Sequence, residues 1–335
     1  MKFVVYPAVE PERLKAMVAS APTARWVNAT TESEAEDAIT GAEAFLGKIT
    51  PAILARADQL AWVQAFTASL EHYMFPQLRM HPSVLTNMRG LFGDVIADQV
   101  MGYILCFARN LHMYVRQQVN REYEPVGGES GRVGNLAGPA MVSSMDRATI
   151  FLPGSNLGVV GMGGIGLEVA RRAMAFGMKV KGVDRFPDRV PTVPGVLKVE
   201  SVDRLPELLA WSDFAVIAAP ETPETRRLFN ASMIAHLRPT SYLINVGRGA
   251  IVVLDDLTRA LARGELAGAA LDVFEVEPLP ADHLLWSFPN VIITPHTAGY
   301  SPVIAGRHLA VLVDNVRRFA RGEPLLNRVD KTLWF

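Results

Sequence analysis

Apolar and polar positions alternate in two rhythms along this chain, and the rhythms take turns. Short apolar runs at 3–6, 26–28, 44–46 and 62–64 read as strands. The stretches between them, 10–20, 32–39 and 51–57, carry apolar residues at helical spacing. Strands separated by helices argue for a parallel sheet with helical crossovers. The rhythm resumes at residue 157, with strands expected at 157–160, 178–183, 214–218, 242–245, 268–272 and 291–294. Helices are expected at 167–175, 230–237 and 254–263. A last helix starts at Ser301-Pro302, an N-cap residue followed by proline at the first helical position, and runs to residue 321. The fold class is α/β.

Two segments interrupt this alternation. Residues 93–118 form one long helical pattern through Val95, Ile96, Val100, Met101, Ile104, Leu105, Ala108 and Leu111. It is too apolar for a lone surface helix, and both an interdomain linker and a subunit interface fit it. Residues 125–147 are irregular and glycine-rich. Loops of this length are uncommon and usually functional. The segment reads as a dimer arm, with a disordered surface loop as the alternative.

Composition narrows the class. A chain of 335 residues with 50% hydrophobic and 20% charged residues can build two domains, each with a real core. The net charge of -1, without a run of like charges, points to no nucleic-acid partner. Cys106 is the only cysteine, which excludes an intrachain disulfide and fits a reducing compartment. It lies in an apolar helical run and reads as a buried, inert thiol. The apolar start at 3–6 is too short for a signal peptide, and no run of 18 apolar residues suggests a membrane span. A cytoplasmic location without membrane partners is expected. The seven histidines are scattered, so no metal site is expected.

The first chemical signal is the stretch Leu157-Gly-Val-Val-Gly-Met-Gly-Gly-Ile-Gly166. A buried strand runs into a turn of Gly161, Gly163, Gly164, Ile165 and Gly166, and the turn opens a helix. Such a turn brings backbone amides close to a pyrophosphate and aims a helix N-terminus at its charge. The next strand ends at Asp184, about 20 residues on, where a carboxylate can bind the adenosine ribose. That carboxylate favours NAD. Arg185 beside it could hold a 2′-phosphate, which keeps NADP open.

Three more groups follow strand ends: Arg248 after 242–245, Glu277 after 268–272, and His296 after 291–294. Ligands of open α/β sheets bind at the carboxyl ends of strands, so these groups belong on one edge with the glycine turn. Their types suit reduction of a 2-oxo acid. A guanidinium fork can grip a carboxylate and polarise a carbonyl. A histidine can give or take the proton, and a carboxylate on its other nitrogen fixes its tautomer. Each alone is commonly structural; their coincidence after separate strands carries the catalytic reading.

These motifs resemble the D-2-hydroxyacid dehydrogenase family over nearly the whole chain, in the manner of its glyoxylate/hydroxypyruvate reductases. The resemblance rests on Val160-Gly-Met-Gly-Gly-Ile-Gly166, Asn245-Val-Gly-Arg-Gly249, Leu271-Asp-Val-Phe274 with Glu277-Pro-Leu-Pro280, and Pro295-His-Thr-Ala-Gly299. It implies two Rossmann-like domains, parallel sheets with helices on both faces, and an active-site cleft between them. The substrate domain, flavodoxin-like, would comprise 1–100 and 298–335, with a dinucleotide-binding domain at 101–297 inserted in it. That explains a glycine turn in mid-chain. The resemblance assigns Arg248 to the substrate, His296 to acid/base work and Glu277 to its partner. It places Asp272 on the nicotinamide amide, and Ala219, Pro220, Asn245, Val246 and Gly247 along the cofactor. It also implies a homodimer.

One segment departs from the family. Many members have a glycine-rich loop after the strand matching 62–64, whose amides hold the substrate carboxylate. Here it reads Ala65-Phe-Thr-Ala-Ser-Leu-Glu71. Thr67, Ala68 and Ser69 could still present amides, or the segment is a plain turn. Phe66 and Thr67 suggest a narrow pocket and a small substrate such as glyoxylate or hydroxypyruvate. Lys48 either adds positive charge at the pocket mouth or is an ordinary exposed lysine. The function expected is an NAD(P)-dependent 2-oxoacid reductase, reversible to D-2-hydroxy acids. Rivals are a phosphite-type dehydrogenase on the same scaffold and an NAD-sensing corepressor. Formate oxidation is disfavoured because that branch pairs its histidine with glutamine rather than glutamate.

Overall fold

The computed structural model describes residues 1–129 and 141–334. The middle of the expected dimer arm, residues 130–140, lies outside the described residues. The chain divides into two compact units, Met1–Phe92 with Tyr300–Phe335, and Gly93–Gly299. Each has its own parallel sheet, as the alternating rhythm requires.

The first unit holds β1 (Lys2–Tyr6), β2 (Arg25–Asn28), β3 (Ala44–Gly47), β4 (Trp62–Gln64) and β5 (Val84–Thr86), in the order β2-β1-β3-β4-β5. This is the strand order of flavodoxin-like sheets. The period of two divides its strands between two cores. Val4, Phe45, Val63 and Leu85 pack with the helices Glu32–Ile39, Pro51–Ala55 and Pro76–Met80. Phe3, Val5, Leu46 and Trp62 face the other way, onto Pro11–Ser20 and the last helix, Pro302–Ala320. A buried polar chain fastens that last helix to the sheet. Asn315 donates to Gln64 Oε1 at 2.8 Å and accepts from the Leu326 amide at 2.7 Å. Gln64 Oε1 also accepts from Thr86 Oγ1, which accepts from Trp62 Nε1, both at 2.8 Å. Leaving one such buried group without its partner costs about 1–3 kcal/mol, so the network fixes how the chain's end seats on its beginning.

The second unit holds β6 (Asn156–Val160), β7 (Lys179–Asp184), β8 (Val196–Ser201), β9 (Phe214–Ile217), β10 (Tyr242–Asn245), β11 (Gly268–Leu271) and β12 (Val291–Ile293). Their order is β12-β11-β10-β9-β6-β7-β8, all parallel. The order reverses between β6 and β9, the crevice where open α/β sheets take their ligands. Val159, Val216, Ile244 and Ala270 face the helices Gly93–Ala108 and Gly164–Ala175. Val160, Ile217, Leu243 and Leu271 face Leu205–Trp211 and Leu254–Ala262.

Several expectations change. The single helix expected over 93–118 is two, Gly93–Ala108 and Leu111–Asn120, divided at Asn110 with φ 57°. Asparagine tolerates the left-handed region, so the break needs no glycine or proline. Ser301 sits at the N-cap position, but its side chain makes no capping hydrogen bond. The expected irregular stretch 125–147 ends in a short helix, Ser144–Arg147, closed by a capping box between Ser143 and Asp146. Strands β5 and β8 join the sheets without having been anticipated. Among the described residues, no helix is long and apolar enough to cross a membrane.

Candidate active site

The glycine turn leaves β6 and starts the helix Gly164–Ala175. Its three motif glycines are required for three different reasons. Gly161 turns the chain at φ +92°, and a Cβ there would lie 2.8 Å from the Ala219 backbone. Gly163 has nothing within 4 Å, so its backbone face is open. Gly166 would press a Cβ to 2.1 Å from the Gly161 carbonyl, so helix and turn pack at backbone distance. Tight turn, open approach and close packing are the three demands of a pyrophosphate cradle. Gly163 is the N-cap and supplies no side-chain acceptor to the helix's first amides. Those amides suit a phosphate. Gly164 is equally open, while Ile165 packs against the core.

The other expected coenzyme residues converge on this turn. A Cβ on Gly247 would meet the Ala219 carbonyl at 2.6 Å, so the turns after β6, β9 and β10 touch in series. Pro220 lies next along that edge, its carbonyl accepting from Thr225 Oγ1 at 2.7 Å. Val246 is buried in the core. Asp184 closes β7, and its carboxylate accepts the Met162 amide of the glycine turn and the Phe186 amide, both at 2.9 Å. An open pocket lined by Met162, whose amide Asp184 holds, and by Val190, Thr192, Val193, Val196 and Val199 adjoins this turn. Arg185 is paired with Glu224 at 3.3 Å, and Arg185 and Arg189 both lie over the Phe186 ring. The residues fit a dinucleotide. A carboxylate suited to ribose and two guanidiniums suited to phosphate stand side by side.

The ends of β10, β11 and β12 build the chemical part. Asn245, at the end of β10, accepts the Gly247 amide at 3.1 Å and donates to the Arg248 carbonyl at 3.0 Å. This shapes the turn that presents Arg248, which is half-buried and donates one guanidinium nitrogen to the Gly247 carbonyl. A Cβ on Gly249 would sit 1.8 Å from the Phe274 carbonyl, so the Arg248 turn lies directly on the segment after β11. In that segment Glu277 accepts the Phe274 amide with Oε1 and meets His296 Nδ1 with Oε2 at 2.7 Å. His296 is left-handed, with φ 54°. Among the described residues its Nε2 has no protein partner, and 49% of the side chain is exposed. A carboxylate on Nδ1 makes Nε2 the nitrogen available to a substrate.

Asp272 holds this histidine in place. It is buried, and its backbone carbonyl accepts the His296 amide at 2.9 Å. Its carboxylate accepts Thr294 Oγ1 at 2.5 Å, the Thr297 amide at 2.9 Å and the Ala298 amide at 3.0 Å. Tyr103, from the helix Gly93–Ala108, hydrogen-bonds Thr294 Oγ1. The threonine hydrogen is already given to Asp272, so the phenol donates; burial raises the Tyr103 pKa and keeps that proton on. The resemblance places Asp272 on the nicotinamide amide; in the structure three of its carboxylate's acceptor positions serve the turn that carries His296. Thr294 and Tyr103 were not anticipated. Thr294, two residues before the histidine at a strand end, was a visible hint; Tyr103 lay hidden in an apolar helix.

In the first unit, Lys48 follows β3 and is exposed. The segment 65–71 contains no positive φ, so it dispenses with glycine conformations. Among the described residues, the amides of Thr67, Ala68 and Ser69 donate to no protein acceptor. The Thr67 hydroxyl donates to the Ser69 carbonyl at 2.6 Å.

Residues 101–298 match the model of the D-isomer specific 2-hydroxyacid dehydrogenase NAD binding domain. The chain is 30% identical over 282 residues to a glyoxylate reductase from Thermofilum pendens, covering 82% of this chain and 76% of that one. It also resembles a D-isomer specific 2-hydroxyacid dehydrogenase from Xanthobacter autotrophicus solved with NADPH and MES. That pair shows a TM-score of 0.80, 29% identity, and coverage of 100% and 99%. An NADPH-dependent glyoxylate/hydroxypyruvate reductase from Sinorhizobium meliloti, solved with NADP and sulfate, gives a TM-score of 0.79, 27% identity and the same coverage.

Proposed function

The chain belongs to the D-isomer specific 2-hydroxyacid dehydrogenase family, whose members are NAD(P)-dependent oxidoreductases of the CH–OH group, and from that premise we propose that it reduces a small 2-oxo acid such as glyoxylate or hydroxypyruvate. The observation that carries this reading is the Glu277–His296 pair, with His296 Nε2 unengaged on the sheet edge that also bears the glycine turn.

Gly161, Gly163, Gly164 and Gly166 would hold the coenzyme pyrophosphate, and Asp184 with Arg185 would meet the adenosine ribose. When bound, the nicotinamide supplies the hydride. His296 donates the proton from Nε2 to the developing alkoxide and recovers it in the reverse direction. Glu277 keeps the ring oriented and stabilises its protonated form through Nδ1. Arg248 grips the substrate carboxylate and polarises the adjacent carbonyl. Asp272 sets the turn on which His296 stands, so a geometry needed only at the chemical step is fixed beforehand. Lys48 and the Thr67–Ser69 amides are assigned to the substrate carboxylate, on the strength of their exposure and unused donors. A homodimer in the cytoplasm completes the reading. The test is coenzyme absorbance with purified protein, NADH or NADPH, and a panel of glyoxylate, hydroxypyruvate, pyruvate and phenylpyruvate. Oxidation with the small acids supports the reading; a silent panel, or turnover of phosphite instead, overturns it.

A further inference from the structure

The free amides of residues 67–69 raise a question of mechanics. Backbone amides bind an anion well only if they cannot turn away, and no glycine conformation locks these. The lock is on their carbonyl side. In a trans peptide the carbonyl and the following N–H point in opposite directions, and the only cis bonds among the described residues are Tyr6–Pro7 and Glu277–Pro278. The Thr67 carbonyl accepts the Met88 amide at 3.0 Å, which turns the Ala68 N–H outward from Met88. The Ala68 carbonyl accepts Asn87 Nδ2 at 2.7 Å, which does the same for Ser69. The remaining peptide, Phe66–Thr67, is held by a side chain remote in sequence. His308, buried in the helix Pro302–Ala320, bonds the Phe66 carbonyl through Nε2 at 2.9 Å.

Arg13 decides how that histidine is wired. Its guanidinium is a permanent donor and bonds His308 Nδ1. Nδ1 must therefore accept, which places the ring's hydrogen on Nε2, where it is donated to Phe66. The Phe66 ring completes the cluster. It meets the His308 ring edge-on at 5.7 Å between centroids, with the Arg13 guanidinium 5.9 Å from its centre.

We propose that His308 is a positioning residue for substrate binding: by holding the Phe66 carbonyl it fixes the Phe66–Thr67 peptide and aims the Thr67 amide, beside those of Ala68 and Ser69, at a carboxylate. Arg13 acts through His308 by selecting its tautomer. The identity of the anion as a carboxylate rests on the 2-oxo acid reading above; the arrangement of donors does not.

The experiment is an amide NMR titration with oxalate, an unreactive carboxylate, on the full chain with saturating oxidised coenzyme, read at Thr67, Ala68 and Ser69. Wild type is expected to show saturable shifts at these amides. His308→Leu removes the donor to Phe66 and should weaken oxalate by about tenfold, the worth of one neutral hydrogen bond. His308→Gln can donate to Phe66 and accept from Arg13, and should restore affinity to within about threefold. Coenzyme affinity should be the same in all three. Unmoved amides in wild type, or equal oxalate affinity in the Leu and Gln variants, overturns the proposal. Should the leucine variant fail to fold, Arg13→Met tests the same wiring, with about threefold weaker oxalate expected and unchanged affinity contradicting it. Oxalate shifts without turnover of any 2-oxo acid would remove the proposed reaction and leave the positioning role standing. Turnover without oxalate shifts would do the reverse.

Discussion

Replacing Asp272 with asparagine separates two roles that the same residue can be given. The carboxylate accepts three hydrogen bonds, two at Oδ1 from Thr294 and Thr297 and one at Oδ2 from Ala298. Asparagine can keep its oxygen toward Thr294 and Thr297, but its NH2 then faces the buried Ala298 N–H. One charge-assisted bond is lost and a buried donor is left facing a donor, a cost of about 1.5–3 kcal/mol. Part of that appears as lower stability. The rest appears as drift of the left-handed His296 turn, and misplacement of a catalytic group by about 1 Å costs roughly a hundredfold in rate. Asp272→Asn should therefore lower kcat by roughly ten- to a hundredfold while coenzyme affinity holds. Steady-state kinetics with glyoxylate, a coenzyme fluorescence titration and urea denaturation read the three quantities separately. If kcat is preserved and coenzyme binding weakens, Asp272 serves the nicotinamide amide and the reasoning from its hydrogen bonds is refuted.

Other outcomes follow from the same geometry. Gly166→Ala forces a Cβ to 2.1 Å from a backbone carbonyl and should destabilise the second unit by about 1–3 kcal/mol. Gly163→Ala meets nothing within 4 Å and should keep its melting temperature while losing coenzyme affinity. Equal behaviour of the two would contradict the roles assigned to these glycines. Arg248→Lys keeps the charge but cannot fork, and should lower kcat/KM by roughly ten- to a hundredfold with little change in coenzyme binding. Burial lowers the His308 pKa, and the Arg13 charge adds to this. The unfolded chain then binds the extra proton first, so this histidine's contribution to stability is full above about pH 6.5. It declines as the pH falls from there through the folded value, and levels off below it. Urea denaturation between pH 8 and pH 5 should show a steeper acid loss in wild type than in His308→Gln; identical slopes would exclude the effect.

The fold was legible where periodicity is strong. Strands that run into a glycine turn, such as β6 before Gly161 and β10 before Val246-Gly247, stood out, and so did the helices that follow them. β5 offers only two apolar residues, Val84 and Leu85, before the polar Thr86, and β8 is an edge strand with no buried residue, so neither shows the apolar run that marks a parallel strand. The break at Asn110 needs a left-handed residue that leaves no mark in the apolar pattern. In the site, Arg248, Glu277 and His296 could be found because chemistry gathers at strand ends. Tyr103 and His308 could not. Their partners are 191 and 242 residues away, and nothing local distinguishes them from core residues. The doubt over the glycine-free loop had the same origin, since the groups that hold its carbonyls come from β5's end and from the last helix.

The central claim is that His296 transfers the proton in reduction of a small 2-oxo acid. The direct measurement is turnover of glyoxylate and hydroxypyruvate with NADH and NADPH, wild type beside His296→Asn, together with coenzyme binding by both. Wild type should oxidise coenzyme, and the variant should lose roughly 10²–10⁴-fold in kcat with coenzyme affinity intact. Undiminished turnover in the variant would contradict the account.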